Sequence, residues 1–232
     1  MFNAQNSPTS LPKFLGSLWA IGIILIFISY FFIDKPLCSF IFTHHLSSHL
    51  YFFSFFKNLI EWPGVFELIA PILLFIFLLI FLLPNSKNNL KKYQSMLILV
   101  TLSVSLTFLI KNDLKWIFSR DWPTTWTHDN LSWIKNQAYG FQWFQGPWFQ
   151  GTDSTGSFPS GHSSIAFASL ISVGLVYQKL LKVCVLLASL EALSMVLFNY
   201  HFLSDVIAGA CLGITISVLC QAVLNKKKAC HF

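Results

Sequence analysis

Arg120 is the one arginine among the 15 Lys and Arg residues of this 232-residue chain, and it lies upstream of Phe158, Pro159, Ser160, Gly161 and His162. A second polar run, Tyr200 to Asp205, carries His201 and Asp205. A guanidinium is the side chain best shaped to grip a phosphate through two parallel hydrogen bonds, and a chain that otherwise uses lysine places its single copy here. Two histidines and a carboxylate nearby supply what phosphoryl transfer through an imidazole needs: a nucleophile, a proton donor and an orienting group.

Each half of this set has a local logic. Pro159 presets an extended or first-turn backbone, Ser160 is a good N-cap, Gly161 lets a ligand approach the backbone, and His162 opens an apolar run. A helix start of this kind presents backbone N–H groups and a positive dipole end, which suits a bound phosphate; a bare helix cap is the other reading. His201 and Asp205, four apart, share one helical face, where a carboxylate can fix the imidazole tautomer and stabilise its cation. A purely structural His–Asp pair is the alternative there. With Lys115 and Arg120 holding the phosphoryl oxygens, one histidine attacks phosphorus and the other protonates the leaving oxygen. This chemistry requires neither a metal nor a nucleotide.

The elements that must position these groups are membrane helices. Hydrophobic residues are 55% of the chain and charged ones only 10%, with a mean hydropathy of +0.63, far from the balance of a soluble domain. The net charge of +6 sits in short stretches beside apolar runs, which argues for membrane topology rather than nucleic-acid binding. Cys38, Cys184, Cys211, Cys220 and Cys230 show no paired ligand spacing, so no disulfide framework follows. Six apolar stretches can be drawn: Phe14 to Ile33, Gly64 to Leu83, Ser95 to Ile110, Ser163 to Tyr177, Val183 to Phe198 and Phe202 to Leu224. The first, second and sixth reach the length of about 17 to 20 residues that a spanning helix needs, and the others need polar flanks packed against neighbours. The first run is too long for a signal core and no small-residue cleavage site follows it, so it reads as a retained anchor. The expected fold is an all-α polytopic bundle of about six transmembrane helices, with residues 1–232 forming a single integral-membrane domain.

Lysines set the orientation. Lys87, Lys91 and Lys92, then Lys179 and Lys182, then Lys226, Lys227 and Lys228 all fall on one side of a six-span arrangement, which is therefore read as cytoplasmic. The segment Lys111 to His162 and the turn Asn199 to His201 then share the outward face. Six of the eight tryptophans (Trp116, Trp122, Trp126, Trp133, Trp143, Trp148) lie in that outward segment, as expected of a loop at headgroup level or an ordinary aromatic belt. Asp34 to Pro63 is too mixed to cross, and its stretch Leu50 to Ile60 could form an interfacial amphipathic helix. The 25 phenylalanines and the preference for lysine and asparagine point to an AT-rich genome and a bacterial inner membrane, with the site on the periplasmic side.

At Lys115, Pro159 to His162, and Ser194 to Asp205, the chain resembles the type 2 phosphatidic acid phosphatase family. Members carry a lysine followed after six residues by Arg-Pro, then Pro-Ser-Gly-His, then Ser-Arg, five residues, a histidine, three residues and an aspartate. The resemblance runs from residue 111 to 213, with the second motif intact. It implies six helices and an outward site in which His201 is the nucleophile, Asp205 its orienting partner and His162 the general acid, with Lys115, Ser160 and Gly161 binding phosphate. Two positions depart: Trp122 stands before Pro123 where the motif arginine belongs, and Met195 stands for the third-motif arginine. Arg120 sits two residues early and is expected to take the phosphate alone or with Lys111 or Lys135. Arg120→Ala is then expected to cost nearly as much as His201→Ala.

The expected activity is hydrolysis of a phosphomonoester or diphosphate of an envelope lipid through a phosphohistidine, with no cofactor. Phosphatidate, phosphatidylglycerophosphate, a polyprenyl diphosphate and a lipid A phosphate are equally compatible substrates. The alternatives are a degenerate lipid-phosphate-binding or transport protein, which would explain Trp122 and Met195, and a lipid phosphotransferase. His44, His45 and His49 raise haem or metal binding, but no Cys/His or Glu/His set joins them. Glu191, one turn before Met195, has no assigned role.

Overall fold

The computed structural model describes residues 10–46, 88–125, 130–144 and 156–229. The described chain is a helical bundle. Helix α1 (Ser10–Ile28) runs through a π-helical turn, Ser29–Ile33, into α2 (Asp34–Thr43). Then come α3 (Asn88–Phe118), the short α4 (Trp133–Asn136), α5 (Gly161–Val176), α6 (Leu181–Leu197) and α7 (Leu203–Ala229). Among the described residues, four helical runs are long and apolar enough to cross a membrane: Leu11–Thr43, Lys92–Phe118, Gln178–Leu197 and Leu203–Asn225. The shorter α5 is lined by buried residues along most of its length, so neighbouring helices rather than lipid meet its polar ends. The expected span Gly64 to Leu83, the stretch Leu50 to Ile60, and His49, Trp126 and Trp148 lie outside the described residues.

Two helices outrun their apolar stretches. The first continues past Ile33 to Thr43, where a mixed, non-crossing segment was expected. Asp34 is tolerated because it is only 1% exposed and faces a cation inside the bundle. Pro36 has no N–H to donate into this continuous run, and the π turn directly precedes it, where the helical hydrogen-bond ladder is displaced. Helix α3 likewise carries Lys111, Asp113 and Lys115 within its 31 residues and ends at Ser119, which takes a left-handed φ of 42°. Its N–H donates to the Lys115 carbonyl at 2.8 Å, closing the last turn.

The bundle is apolar outside and small or hydroxylated within. Ile21, Ile24, Phe27, Phe31, Phe32, Leu186 and Val223 are exposed, as lipid-facing side chains should be, whereas Ser103, Ser164, Ser172 and Ser217 are fully buried. Ser172 donates to Ser103 at 3.0 Å and Ser217 to the Ala168 carbonyl at 2.8 Å, satisfying polar groups where no water reaches. Helices α5 and α7 approach most closely. A Cβ on Gly209 would stand 2.6 Å from the Ser160 carbonyl oxygen, and one on Gly213 would meet the backbone of Ser164 and Ala168. Spaced four apart, these glycines let two backbones touch without side chains between them.

Packing also fixes which helix ends meet. Lys92 Nζ, near the start of α3, lies 4.5 Å over the Tyr177 ring at the end of α5. The lysine-bearing ends of α3, α6 and α7 therefore lie opposite the ends that carry the histidines, in keeping with the lysine pattern.

Candidate active site

Each half of the site is built by a helix start. On α5, Ser160 is the N-cap: its Oγ accepts from Ser163 N at 3.4 Å and donates to Ser163 Oγ at 3.1 Å. Its own N–H donates to the Asp205 carbonyl at 3.0 Å, tying this turn to the head of α7. On α7, the Asp205 carboxylate reaches back to the Phe202 N–H at 3.0 Å, the reciprocal arm of a capping box. Between α6 and α7 the chain reverses through Asn199, at a φ of 54°, a conformation asparagine tolerates better than most residues. The Asn199 side chain donates to the Cys38 carbonyl at 3.2 Å, and the Tyr200 and His201 N–H groups both donate to the Met195 carbonyl, at 2.9 and 3.2 Å. His201 is thus held by backbone at both sides of the turn.

These turns bring the two histidines together, with ring centroids of His162 and His201 6.4 Å apart. His201 Nδ1 lies 3.7 Å from Asp205 Oδ2, an electrostatic contact one short shift from a hydrogen bond. Burial pushes the His201 imidazole below its ordinary pKa; Asp205 opposes this and Lys115 adds to it. Trp122 packs on the same imidazole, its ring centroid 5.3 Å away and tilted by 38°, while Lys115 Nζ lies 5.3 Å from the Trp122 ring. Lys111, one turn before Lys115, is 8% exposed. Its Nζ stands 3.4 Å from where a Gly161 Cβ would be, directly beside the α5 start. Lys135 is exposed on α4.

Arg120 is elsewhere in this picture. Its side chain has no exposure, and its guanidinium faces two carboxylates rather than a cavity. Nη2 donates to Asp34 Oδ2 at 2.9 Å, and Nη1 donates to Ser204 Oγ at 2.6 Å and to Asp205 Oδ1. The rings of Tyr30, Tyr139, Phe141 and Phe202 surround its Cζ at 4.5 to 5.3 Å. Burial draws the guanidinium pKa down, but Asp205 and Asp34 outweigh it and hold the group charged. Arg120, expected to grip phosphate directly, has both terminal nitrogens donating to protein oxygens, while its buried Nε has no hydrogen-bond partner among the described residues. Its backbone carbonyl meanwhile accepts from Gly156 at 2.9 Å and Ser157 at 3.1 Å, anchoring the strand of chain that leads into Pro159.

The PAP2 superfamily model matches residues 95–229, more than half of the chain, and spans the two histidines, Asp205 and Lys115. The chain belongs to the PAP2 superfamily. This PAP2 protein also shares its fold with the crystal structure of the first transmembrane PAP2-type phosphatidylglycerolphosphate phosphatase from Bacillus subtilis. The match has a TM-score of 0.59 and 20% identity, covering 91% of this chain and 96% of that one. No curated protein shows a significant sequence match. Family and fold together make the described chain a helical membrane bundle of the PAP2 superfamily.

Sequence reasoning missed Asp34. The signal was present: an acidic residue at the end of a long apolar run must have a buried counter-charge, and the chain holds one arginine. The packing of Trp122 on His201 had no such signal, since an aromatic belt accounts for tryptophans in an outward loop equally well.

Proposed function

We propose that this PAP2 protein hydrolyses the phosphomonoester or diphosphate of a membrane lipid through a phosphohistidine on His201. The observation that carries this reading is the convergence of His162, His201 and Asp205 beside Lys111, Lys115 and the α5 N-terminus, drawn from three helices onto one end of the bundle. A neutral His201 attacks phosphorus through Nε2 while Nδ1 faces Asp205. The P–O bond to the lipid breaks, and the leaving oxygen takes a proton from His162. Water then attacks the phosphoimidazole, giving up a proton to His162, and the P–N bond breaks to release inorganic phosphate.

Phosphate is held by Lys115, Lys111, Gly161 and Ser160 in this reading, with Arg120 acting behind them. Gly161 opens α5, so its N–H has no carbonyl four residues back within the helix and can turn to a phosphoryl oxygen. Ser160 contributes by fixing that turn, since its hydroxyl is occupied by Ser163. The two lysines stand in for the arginines that Trp122 and Met195 replace. Met195 is fully buried, so its position offers no polar group to a ligand. The lysine pattern supports a site on the side away from the cytoplasm, the composition supports a bacterial inner membrane, and lipid is the favoured substrate because the site lies at one end of the helical spans.

Phosphate release from vesicles carrying phosphatidate, phosphatidylglycerophosphate or a polyprenyl diphosphate tests the proposal against His201→Ala. Native release well above the variant on at least one lipid supports it. Equal release on every lipid overturns it in favour of a lipid-phosphate binder, and transfer of phosphate to an added lipid alcohol rather than water would identify a phosphotransferase.

A further inference from the structure

Asp34 lies outside the segment that the PAP2 family model matches, yet it is among the most completely buried charges of the described chain. Both of its carboxylate oxygens are partnered. Oδ2 accepts from Arg120 Nη2 at 2.9 Å and from Ser204 Oγ, and Oδ1 accepts from the Ser204 N–H at 3.1 Å; the Tyr139 hydroxyl, which donates to the Tyr30 carbonyl at 2.6 Å, stands 3.2 Å from Oδ2. That last bond matters for placement. Ser204 is in the first turn of α7, so a carboxylate from α2 caps the helix whose own next residue is Asp205. The same guanidinium that binds Asp34 binds Asp205 Oδ1, and the other Asp205 oxygen faces His201.

We propose that Asp34 is a positioning residue for the phosphoryl-transfer step, acting on His201 through Arg120 and Asp205. The proposal rests on the hydrolase reading above. Two carboxylates and one guanidinium leave this buried cluster with one net negative charge, the complement of the positive charge that His201 gains when Nε2 attacks phosphorus. Without Asp34, the Arg120 charge falls wholly on Asp205 and cancels it as seen from the imidazole. Without Arg120, two carboxylates would share a buried site, and one would take a proton. Asp34 therefore sets how much of the Asp205 charge reaches the nucleophile, and its hold on Ser204 fixes where Asp205 stands. The N-terminal helical run is in this way part of the catalytic machinery rather than an anchor alone.

Asp34→Asn keeps shape and removes the charge. In detergent-solubilised full-length protein it is expected to lower kcat about tenfold or more while KM stays within about twofold, since the phosphate ligands are untouched. A readout independent of turnover is the titration of the His201 imidazole by NMR on histidine-labelled protein, assigned against His201→Gln. The charged groups facing His201 are Asp205 on α7, Lys115 on α3 and His162 on α5, with Trp122 packed on its ring; those facing Asp34 are Arg120 and Tyr139, with Cys38 one turn on. None of these changes in Asp34→Asn, so a shift of His201 to lower pH by about half a unit or more reports the coupling itself. Asp34→Glu should recover part of both effects.

If Asp34→Asn misfolds, Ser204→Ala removes one donor from Asp34 and one acceptor from Arg120, and should lower kcat several-fold at constant KM. Native kcat and an unmoved His201 titration in either folded variant would overturn the proposal, as would a loss confined to thermal stability. Should the native protein release no phosphate at all, the hydrolase reading fails, and the His201 titration still decides whether Asp34 is coupled to it.

Discussion

The Arg120 guanidinium, carried on the loop after α3, binds the Asp205 carboxylate at the head of α7, and neither side chain has any exposure to solvent. A buried ion pair of this kind contributes little relative to a well-packed apolar pair, but breaking it from one side is costly. Arg120→Ala leaves Asp34 and Asp205 facing each other in a ring of aromatic side chains. It should destabilise the protein by about 3 to 5 kcal/mol and abolish turnover together. Thermal unfolding in detergent, run beside phosphate release, checks this. Arg120→Lys should keep the charge, lose one of the two arms, and retain a measurable fraction of both stability and activity.

The pH response of His201 has a defined sign. Burial holds its pKa below the ordinary imidazole value, so between that lowered value and about 6.5 the unfolded chain binds a proton that the native chain does not. The stabilising contribution is fully present above about pH 6.5 and is lost as pH falls through the window below it. Unfolding midpoints measured from pH 8 down to pH 5 should fall more steeply for the native protein than for His201→Gln.

In the proposed reading, Lys111 and Lys115 divide the role that arginines hold in the family motifs. Lys111→Met keeps an apolar stem of similar length beside Gly161 and removes the charge, so KM for a lipid phosphate should rise about tenfold or more. Lost charge-assisted contacts of about 1.5 to 3 kcal/mol set that scale. Steady-state kinetics with Lys111→Met, Lys115→Met and the double variant measures it, and a KM unchanged in both single variants would remove the lysines from the phosphate site.

Gly209 makes a structural demand that registers at the active site. A methyl at this position would sit 2.6 Å from the Ser160 carbonyl oxygen, so α7 must retreat from the turn that presents Gly161 and His162. Gly209→Ala should lower activity strongly and reduce the unfolding midpoint. Gly16→Ala, with nothing within 4 Å of the new methyl, should leave both close to native values.

Trp122 holds one face of the His201 ring in the position where the motif calls for arginine. Trp122→Phe keeps that face and should retain most of kcat, whereas Trp122→Ala should reduce kcat several-fold by freeing the imidazole. The kcat ratio of the two variants reads the contribution of ring packing.

The sequence by itself determined the class of fold and singled out the polar residues of the candidate site. Apolar runs long enough to cross a bilayer can only be helices, because backbone polar groups in hydrocarbon must pair within the segment. His162, His201 and Asp205 were legible from type and spacing, and the bundle brings them together. Lysine clusters marked which helix ends share a side, since charge cannot cross the core. What the tertiary structure decided is the use of the charges. Arg120 reads as a phosphate ligand because nothing linear ties it to Asp34, 86 positions earlier, and only folding shows that its two terminal nitrogens each donate to a carboxylate. Lys111 and Trp122 gained their places the same way. A buried charge takes the nearest partner that three-dimensional packing supplies, and helix packing, which depends on glycine contacts such as Gly209 against Ser160, has no expression in residue spacing along the chain.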